Sequence, residues 1–104
     1  MFSIIIPTFN NIDYLKKCIE SIKKNSTFHT HEIIPHVNDG SDGTLDFLKK
    51  NSFNYSHTKH NSGICTGMNM AAQKSNTNYL LYAHDDFYFC PKWDFILKKE
   101  LDKI

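Results

Sequence analysis

The sequence contains no arginine; all twelve of its basic residues are lysine. A ligand phosphate therefore cannot be gripped by a planar guanidinium fork. A bound diphosphate would have to be balanced by a metal ion, by lysine or by backbone N–H groups. An excess of charge of one sign is also missing. Eleven acidic residues leave a net charge of +1, so no field draws the chain to nucleic acid or to a lipid surface. Cysteine is sparse: Cys18, Cys65 and Cys90 are odd in number and far apart. That pattern excludes a disulfide framework and points to a reducing compartment. Long hydrophobic runs are absent too. The opening Ile4-Ile5-Ile6-Pro7 lacks a basic lead-in and is too short for a signal sequence or a membrane span, so a cytoplasmic location is expected. No repeat, linker or low-complexity tract interrupts the chain.

What is present is enough for one domain over residues 1–104. Apolar residues make up 40% and charged residues 22%, a balance that supports a buried core. Phe2 to Ile6 is apolar without alternation, the pattern of a central parallel strand covered on both faces. Pro7 is expected to end it. Asn10 or Asn11 is placed to cap a helix running to about Lys24, with Ile12, Leu15, Ile19 and Ile22 at helical spacing. Glu32 to Val37 reads as a second strand, and Pro35 makes it look irregular or edge-like. Ser41 or Asp42 can cap a short helix carrying Leu45, Phe47 and Leu48. Phe53 to Thr58 is a third strand. Ile64 to Lys74 is a helix with Met68, Ala71 and Ala72 on its buried side, and Tyr79 to Ala83 is a fourth strand. Pro91 suits the first turn of a last helix whose apolar face is Trp93, Ile96, Leu97 and Leu101. This alternation of β and α predicts an α/β fold, a mostly parallel sheet in a layered arrangement.

In such a sheet, ligands bind beyond the carboxyl ends of the strands. Four polar segments fall there: Pro7-Thr8-Phe9-Asn10, Asn38-Asp39-Gly40-Ser41, His60-Asn61-Ser62-Gly63 and His84-Asp85-Asp86. Parallel strands would bring all four to one rim. The adjacent carboxylates of Asp85 and Asp86 repel one another unless they are solvated or share a cation. Mg²⁺ or Mn²⁺, which takes few carboxylates alongside phosphate oxygens, would suit the pair; a solvated turn is the plainer alternative. The Asp39 carboxylate could accept the imide N–H of a uracil ring, or simply close an Asx-turn. The six histidines have no zinc-site spacing, the Gly40–Thr44 segment matches no phosphate-binding glycine loop, and no Ser-His-Asp order emerges.

Taken together, these segments resemble the family-2 glycosyltransferases along nearly the whole chain. Ser3 to Asn10 is similar to that family's opening strand and P-x-[YF]-N loop. Glu32-Ile33-Ile34 followed by Asn38 to Thr44 resembles E-I-I-V-V-D-D-G-S-x-D-G-T. Asn61 to Asn69 resembles N-x-G-x-x-x-A-R-N, and Leu80 to Asp86 resembles the strand leading to a metal-binding D-x-D. The resemblance implies a three-layer, Rossmann-like GT-A fold, of which this chain would be the N-terminal half. It implies nucleotide binding by Pro7, Thr8, Phe9, Asp39, Asn61, Gly63 and Asp85. It also implies Mn²⁺ or Mg²⁺ held by Asp86 and Asp85, with Asp86 the direct ligand.

The partners implied are a nucleotide-diphosphate sugar, UDP-linked by analogy, and a carbohydrate or other hydroxyl acceptor, with transfer under inversion. Three positions depart from the family pattern: Asn38 replaces an Asp, His84 replaces the first carboxylate of the triplet, and Met68 replaces an Arg. The family's general base lies well beyond its carboxylate motif, so no residue here takes that role and the chain is expected to be an incomplete transferase. A non-catalytic nucleotide-binding or protein-interaction module on the same fold is the alternative. Self-association through an exposed apolar sheet edge is a further expectation.

Overall fold

A computed structural model describes all residues, 1–104. Strands and helices alternate: β1 (Phe2–Phe9), α1 (Ile12–Asn25), β2 (Glu32–Asn38), α2 (Thr44–Lys50), β3 (Ser56–Thr58), α3 (Ile64–Ala72), β4 (Tyr79–Tyr82) and α4 (Trp93–Leu101). The four strands form one sheet in the order β3-β2-β1-β4, and every pairing is parallel.

The alternation of side chains along β1 builds the layers, because successive residues of a strand point to opposite faces. Phe2, Ile4 and Ile6 pack with Leu15, Cys18, Ile19 and Ile22 of α1. Ile5 packs on the other face with Ile34 and with Ala71 of α3, where the half-buried Met68 joins them. The continuous apolar run of β1 thus reflects a strand buried from both sides, as expected from the sequence.

Two proline expectations are corrected. Pro7 does not end β1, which pairs with β2 through Phe9. Its tolerance follows from the topology: β4 pairs with β1 only as far as Ile5, so that flank of β1 is open at Pro7. Pro35 likewise does not make β2 an edge strand. It is an interior strand, and its ladder with β3 begins at His36, one residue after the proline. The third strand is shorter than expected, because Phe53 leaves the sheet to pack against Phe47, their ring centroids 6.0 Å apart.

The helix starts are capped across space rather than locally. Neither Asn10 nor Asn11 caps α1 through its side chain. Asp42 does so from the β2–α2 loop: its carboxylate accepts the Ile12 N–H at 3.0 Å, and the Thr44 N–H and hydroxyl at 3.1 and 2.6 Å. One side chain therefore begins two helices. Burial acts to raise the pKa of Asp42, but the bonds from Thr44 and Ile12 outweigh it and hold the group below its usual range. Asn10 instead accepts the Gly40 N–H at 2.9 Å. Gly40 has φ +88°, and a Cβ there would lie 2.6 Å from Val37 Cγ1, so this tight turn admits only glycine.

Helix α3 seats on β2 through Gly67. A Cβ at that position would lie 2.7 Å from Cδ2 of His36. The imidazole cannot swing aside, being fully buried and hydrogen-bonded to Ser56 Oγ at 2.7 Å and Thr58 Oγ1 at 3.2 Å. Gly67→Ala should therefore destabilise the fold by about 1–3 kcal/mol through overpacking, despite alanine's higher helix propensity. Urea unfolding that gave equal or greater stability would contradict this close approach.

At the far end, Pro91 precedes α4 by two residues rather than occupying its first turn. Ile96 is 57% exposed, and so is not part of the helix's buried face. Strand β4 is an edge strand, with Tyr79 and Leu80 more than half exposed. No helix is long and apolar enough to cross a membrane.

Candidate functional site

The strand order reverses direction at β1: the chain moves outward through β2 and β3, then returns to place β4 on the other flank of β1. Crevices at such a switch point, beyond the carboxyl ends of the strands, are where open α/β sheets bind ligands. The four polar segments singled out in the sequence all reach this rim. They are also joined to one another. Thr8 Oγ1 donates to Asp85 Oδ2 at 2.8 Å, bridging the ends of β1 and β4. Asn10 ties the first segment to Gly40, and Asp39 N–H donates to Thr58 O at 2.8 Å. Asn38 Oδ1 accepts the N–H and hydroxyl of Ser62 at 2.9 and 2.8 Å.

A cleft of about 180 Å³ opens at this rim, walled by Pro7, Thr8, Phe9, Asn38, Asn61, Gly63 and Ile64. Its position follows from the fold. Odd-numbered residues of β1 face α3, and α3 begins at Ile64, so the first turn of that helix and the end of β1 leave a gap between them. Asn61 Oδ1 accepts the Gly63 N–H at 3.0 Å, an Asx-turn that shapes the outer wall. Gly63 adopts φ +84°, a left-handed conformation that glycine takes without strain.

Of the sequence candidates, Pro7, Thr8, Phe9, Asn61 and Gly63 share this cleft. Asp39 does not line it. Its backbone is left-handed at φ +65°, and its Oδ1 accepts the Ser41 N–H at 3.0 Å, which is the Asx-turn arrangement. Asp85 and Asp86 lie beside the cleft rather than in its wall, connected to it through Thr8. Asn38 and Ile64 line it and were not among the sequence candidates. A polar residue at the inward-facing end of a central strand was the available signal for Asn38.

The carboxylates bring uncompensated charge to the rim. No lysine or histidine lies within ion-pair distance of Asp85 or Asp86, and Asp86 is exposed. Their field is felt around them. Burial, reinforced by Asp85 and Asp86, pushes the Cys18 thiol up to about 12. Burial and then the Asp85 charge raise the Tyr82 phenol. No third His, Cys, Asp or Glu converges to complete a protein cage for a metal. His84, the residue preceding the pair, has its ring hydrogen-bonded to Tyr82 Oη at 3.2 Å and packed against Phe87. Two hard oxygen donors without a counter-ion fit Mg²⁺ or Mn²⁺ when the remaining positions are filled by phosphate oxygens and water.

The segment carrying these carboxylates is anchored to α1. Ser21 Oγ accepts the Phe89 N–H at 2.9 Å and Asn25 Nδ2 donates to Phe89 O at 2.7 Å. Behind it, the fully buried Asp94 accepts the N–H groups of Thr27 and Phe28, each at 2.8 Å, and pairs with His31 Nε2 at 2.8 Å. Phe2 stacks on the His31 ring, and Trp93 packs against it at a tilt.

Comparison with known proteins bears on the same residues. A family model described as glycosyl transferase family 2 matches residues 3–104. An uncharacterized glycosyltransferase of Rickettsia bellii (strain RML369-C) is 34% identical over 102 residues, a match that covers 92% of this chain and 14% of that protein. Among solved structures, S. aureus TarS superposes with a TM-score of 0.84 at 23% identity, over 98% of this chain and 19% of TarS. A mannosyltransferase from Pyrobaculum calidifontis, determined with GDP-Man and Mn²⁺, gives a TM-score of 0.78 at 14% identity, over 91% of this chain and 30% of that one. The chain thus spans only a minor part of the relatives it matches. The alternating, parallel architecture is the GT-A fold of these structures, and with the family model spanning nearly every residue, the chain belongs to glycosyl transferase family 2.

Proposed function

We propose that this chain forms the donor-binding part of a metal-dependent glycosyltransferase, which moves a sugar from a nucleotide-diphosphate sugar, UDP-linked, to an acceptor hydroxyl with inversion. The observation that carries the reading is the Thr8–Asp85 hydrogen bond at the switch point. It sets a carboxylate pair beside a cleft walled by Pro7, Phe9, Asn61 and Gly63. In this reading the base and ribose lie in the cleft and the diphosphate points toward Asp85 and Asp86. Asp86, exposed and without a protein hydrogen bond, would be the direct ligand of Mn²⁺ or Mg²⁺. Asp85, oriented by Thr8, would face the ribose or the sugar. When bound, the cation supplies Lewis-acid stabilisation of the departing nucleoside diphosphate. With no arginine in the chain, the protein offers the diphosphate only lysine and backbone donors, which makes that contribution more important.

Asp39 has a smaller part than the sequence implies. With one oxygen closing the Ser41 turn, it shapes the loop that carries Asn38. One observation favours the second reading, a non-catalytic binding module: the ring of His84 is engaged with Tyr82 rather than added to the carboxylates. Both readings predict donor binding without turnover by this chain alone. Incubated with UDP-hexose, Mn²⁺ and candidate saccharide acceptors, the chain is expected to retain donor without forming glycoside, because no residue here is assigned as general base. Glycoside formation at an ordinary enzymatic rate would contradict that assignment. Failure to bind any nucleotide sugar would remove the donor site.

A further inference from the structure

A net charge of +1 predicts no attraction to a lipid surface, but it hides a separation of charge across the sheet. Helices α1, α2 and α4 all pack on the face of β1 that carries Ile4 and Ile6, through Leu15, Phe47 and Leu97. Ten of the twelve lysines lie on these helices or at their ends, with six carboxylates, of which Asp94 is buried. The rest of the chain holds only Lys59 and Lys74 with five carboxylates, among them Asp39, Asp42, Asp85 and Asp86. The helix layer is therefore basic, and the remainder, including the rim, is acidic. Within the layer only Lys98 and Lys103 are in ion pairs, with Asp102 and Glu100. Helix α1 turns Lys16, Lys17, Lys23 and Lys24 to solvent with only Asp13 and Glu20 against them, and α2 adds the exposed Lys49 and Lys50.

Apolar surface is interleaved with this charge. A groove of about 400 Å³ between α1 and α2 has Ile19, Phe47 and Phe53 in its wall. The ammonium groups of Lys16 and Lys23 stand over the two rings, 5.1 and 5.0 Å from their centroids. On the other flank of α1, Lys17 and Lys24 share a depression with Tyr88. Tyr88 in turn shares an apolar pocket with Trp93, Ile96 and Leu97. Tyr88 is 63% and Ile96 57% exposed.

We propose that the layer formed by α1, α2 and α4 docks on an anionic lipid surface. The lysine ammonium groups meet the headgroup phosphates, while Tyr88 and Ile96 enter the boundary between headgroups and acyl chains. An acidic protein would also match the charge. Here, however, the lysines are spread over three helices with apolar side chains between them, rather than lining one groove. A bilayer interface is both anionic and apolar over that whole breadth. Docking leaves the nucleotide cleft free, because its outer wall is built by Asn61, Gly63 and Ile64 at the start of α3, on the opposite side of the sheet. The proposal does not depend on what that cleft binds.

The test is sedimentation of the chain with vesicles of phosphatidylcholine alone and of equal parts phosphatidylcholine and phosphatidylglycerol, at low and high salt. Wild type is expected to bind the anionic vesicles at least about tenfold more tightly at low salt, with the difference shrinking as salt rises. Lys17→Gln/Lys24→Gln should weaken that binding by about tenfold, since each lysine at such a surface contributes severalfold. Lys59→Gln/Lys74→Gln, away from the layer, should change it by about twofold at most. Equal binding of wild type to the two kinds of vesicle, or binding to neither, overturns the proposal without recourse to the variants. Equal losses in the two double variants overturn the assignment to this layer. Binding of soluble polyglutamate in place of vesicles would make an acidic protein surface the partner, and also overturns it.

Discussion

Asp94→Ala should lower stability by about 3 kcal/mol, a mid-melting-point drop of roughly 15 °C for a domain of this size. The carboxylate is fully buried, and four groups depend on it: the N–H donors of Thr27, Phe28 and Phe95, and the His31 ring. Removing the acceptor leaves those part-buried donors unpaired, which costs more than the bonds were worth. The pH dependence has the same origin. Burial alone would raise the Asp94 pKa, but the bonds from Thr27, Phe28, His31 and Phe95 outweigh it and bring it from 3.8 to about 2. A carboxyl whose folded pKa lies below its unfolded value stabilises fully above the unfolded value, and loses that contribution as pH falls through the folded one. Asp94 should therefore contribute about 2 kcal/mol at neutral pH, lost between about pH 4 and pH 2. Circular-dichroism melts of the wild type and of Asp94→Asn across that range would check it. The variant should be less stable at neutral pH and show a flatter acid limb. Parallel acid limbs would show that Asp94 is not the group responsible.

Asp86→Ala should remove the Mn²⁺-dependent part of UDP affinity, a loss of at least about tenfold, while leaving the melting point within the range of ordinary surface substitutions. Asp86 is exposed and makes no hydrogen bond to the protein, so the fold does not need it. Asp85 differs, because its Oδ2 holds Thr8 at the switch point. Asp85→Ala should reduce metal binding and also loosen the end of β1. Loss of the free-Mn²⁺ electron paramagnetic resonance signal on adding protein and UDP reports the ternary complex directly. Equal signal loss with wild type and Asp86→Ala would take the metal away from this carboxylate.

The sheet, its helices and the location of the rim were legible because they depend on local pattern. The apolar run of β1, the helical spacing of Leu15, Ile19 and Ile22, and the turn clusters after each strand all state their roles within a few residues. Features that depend on spatial neighbours were not legible. Pro7 looks like a strand terminator and Pro35 like the mark of an irregular or edge strand until the topology shows that the ladder beside each is open. Asn10 and Asn11 look like caps for α1, but Asp42, thirty residues away, takes the role because the β2–α2 loop folds over the helix start. Nothing local in the sequence singles out Asp94, which becomes the anchor of the α1–β2 loop only when that loop closes over it. The place of Asn38 in the cleft wall, beside the turn closed by Asp39, was hidden for a similar reason. At the end of a strand one residue faces the cleft and the next faces the turn, and the left-handed backbone at Asp39 decides which. The apolar edge of β4 was anticipated and is present. The self-association proposed from it would appear as a concentration-dependent mass in sedimentation.

The account stands most directly on calorimetric titration of UDP into the wild-type chain, with and without Mn²⁺. The predicted result is measurable binding that strengthens at least about tenfold when the cation is added, as expected for a diphosphate whose charge the protein itself balances poorly. A folded chain that binds UDP equally with and without the cation, or not at all, would contradict it.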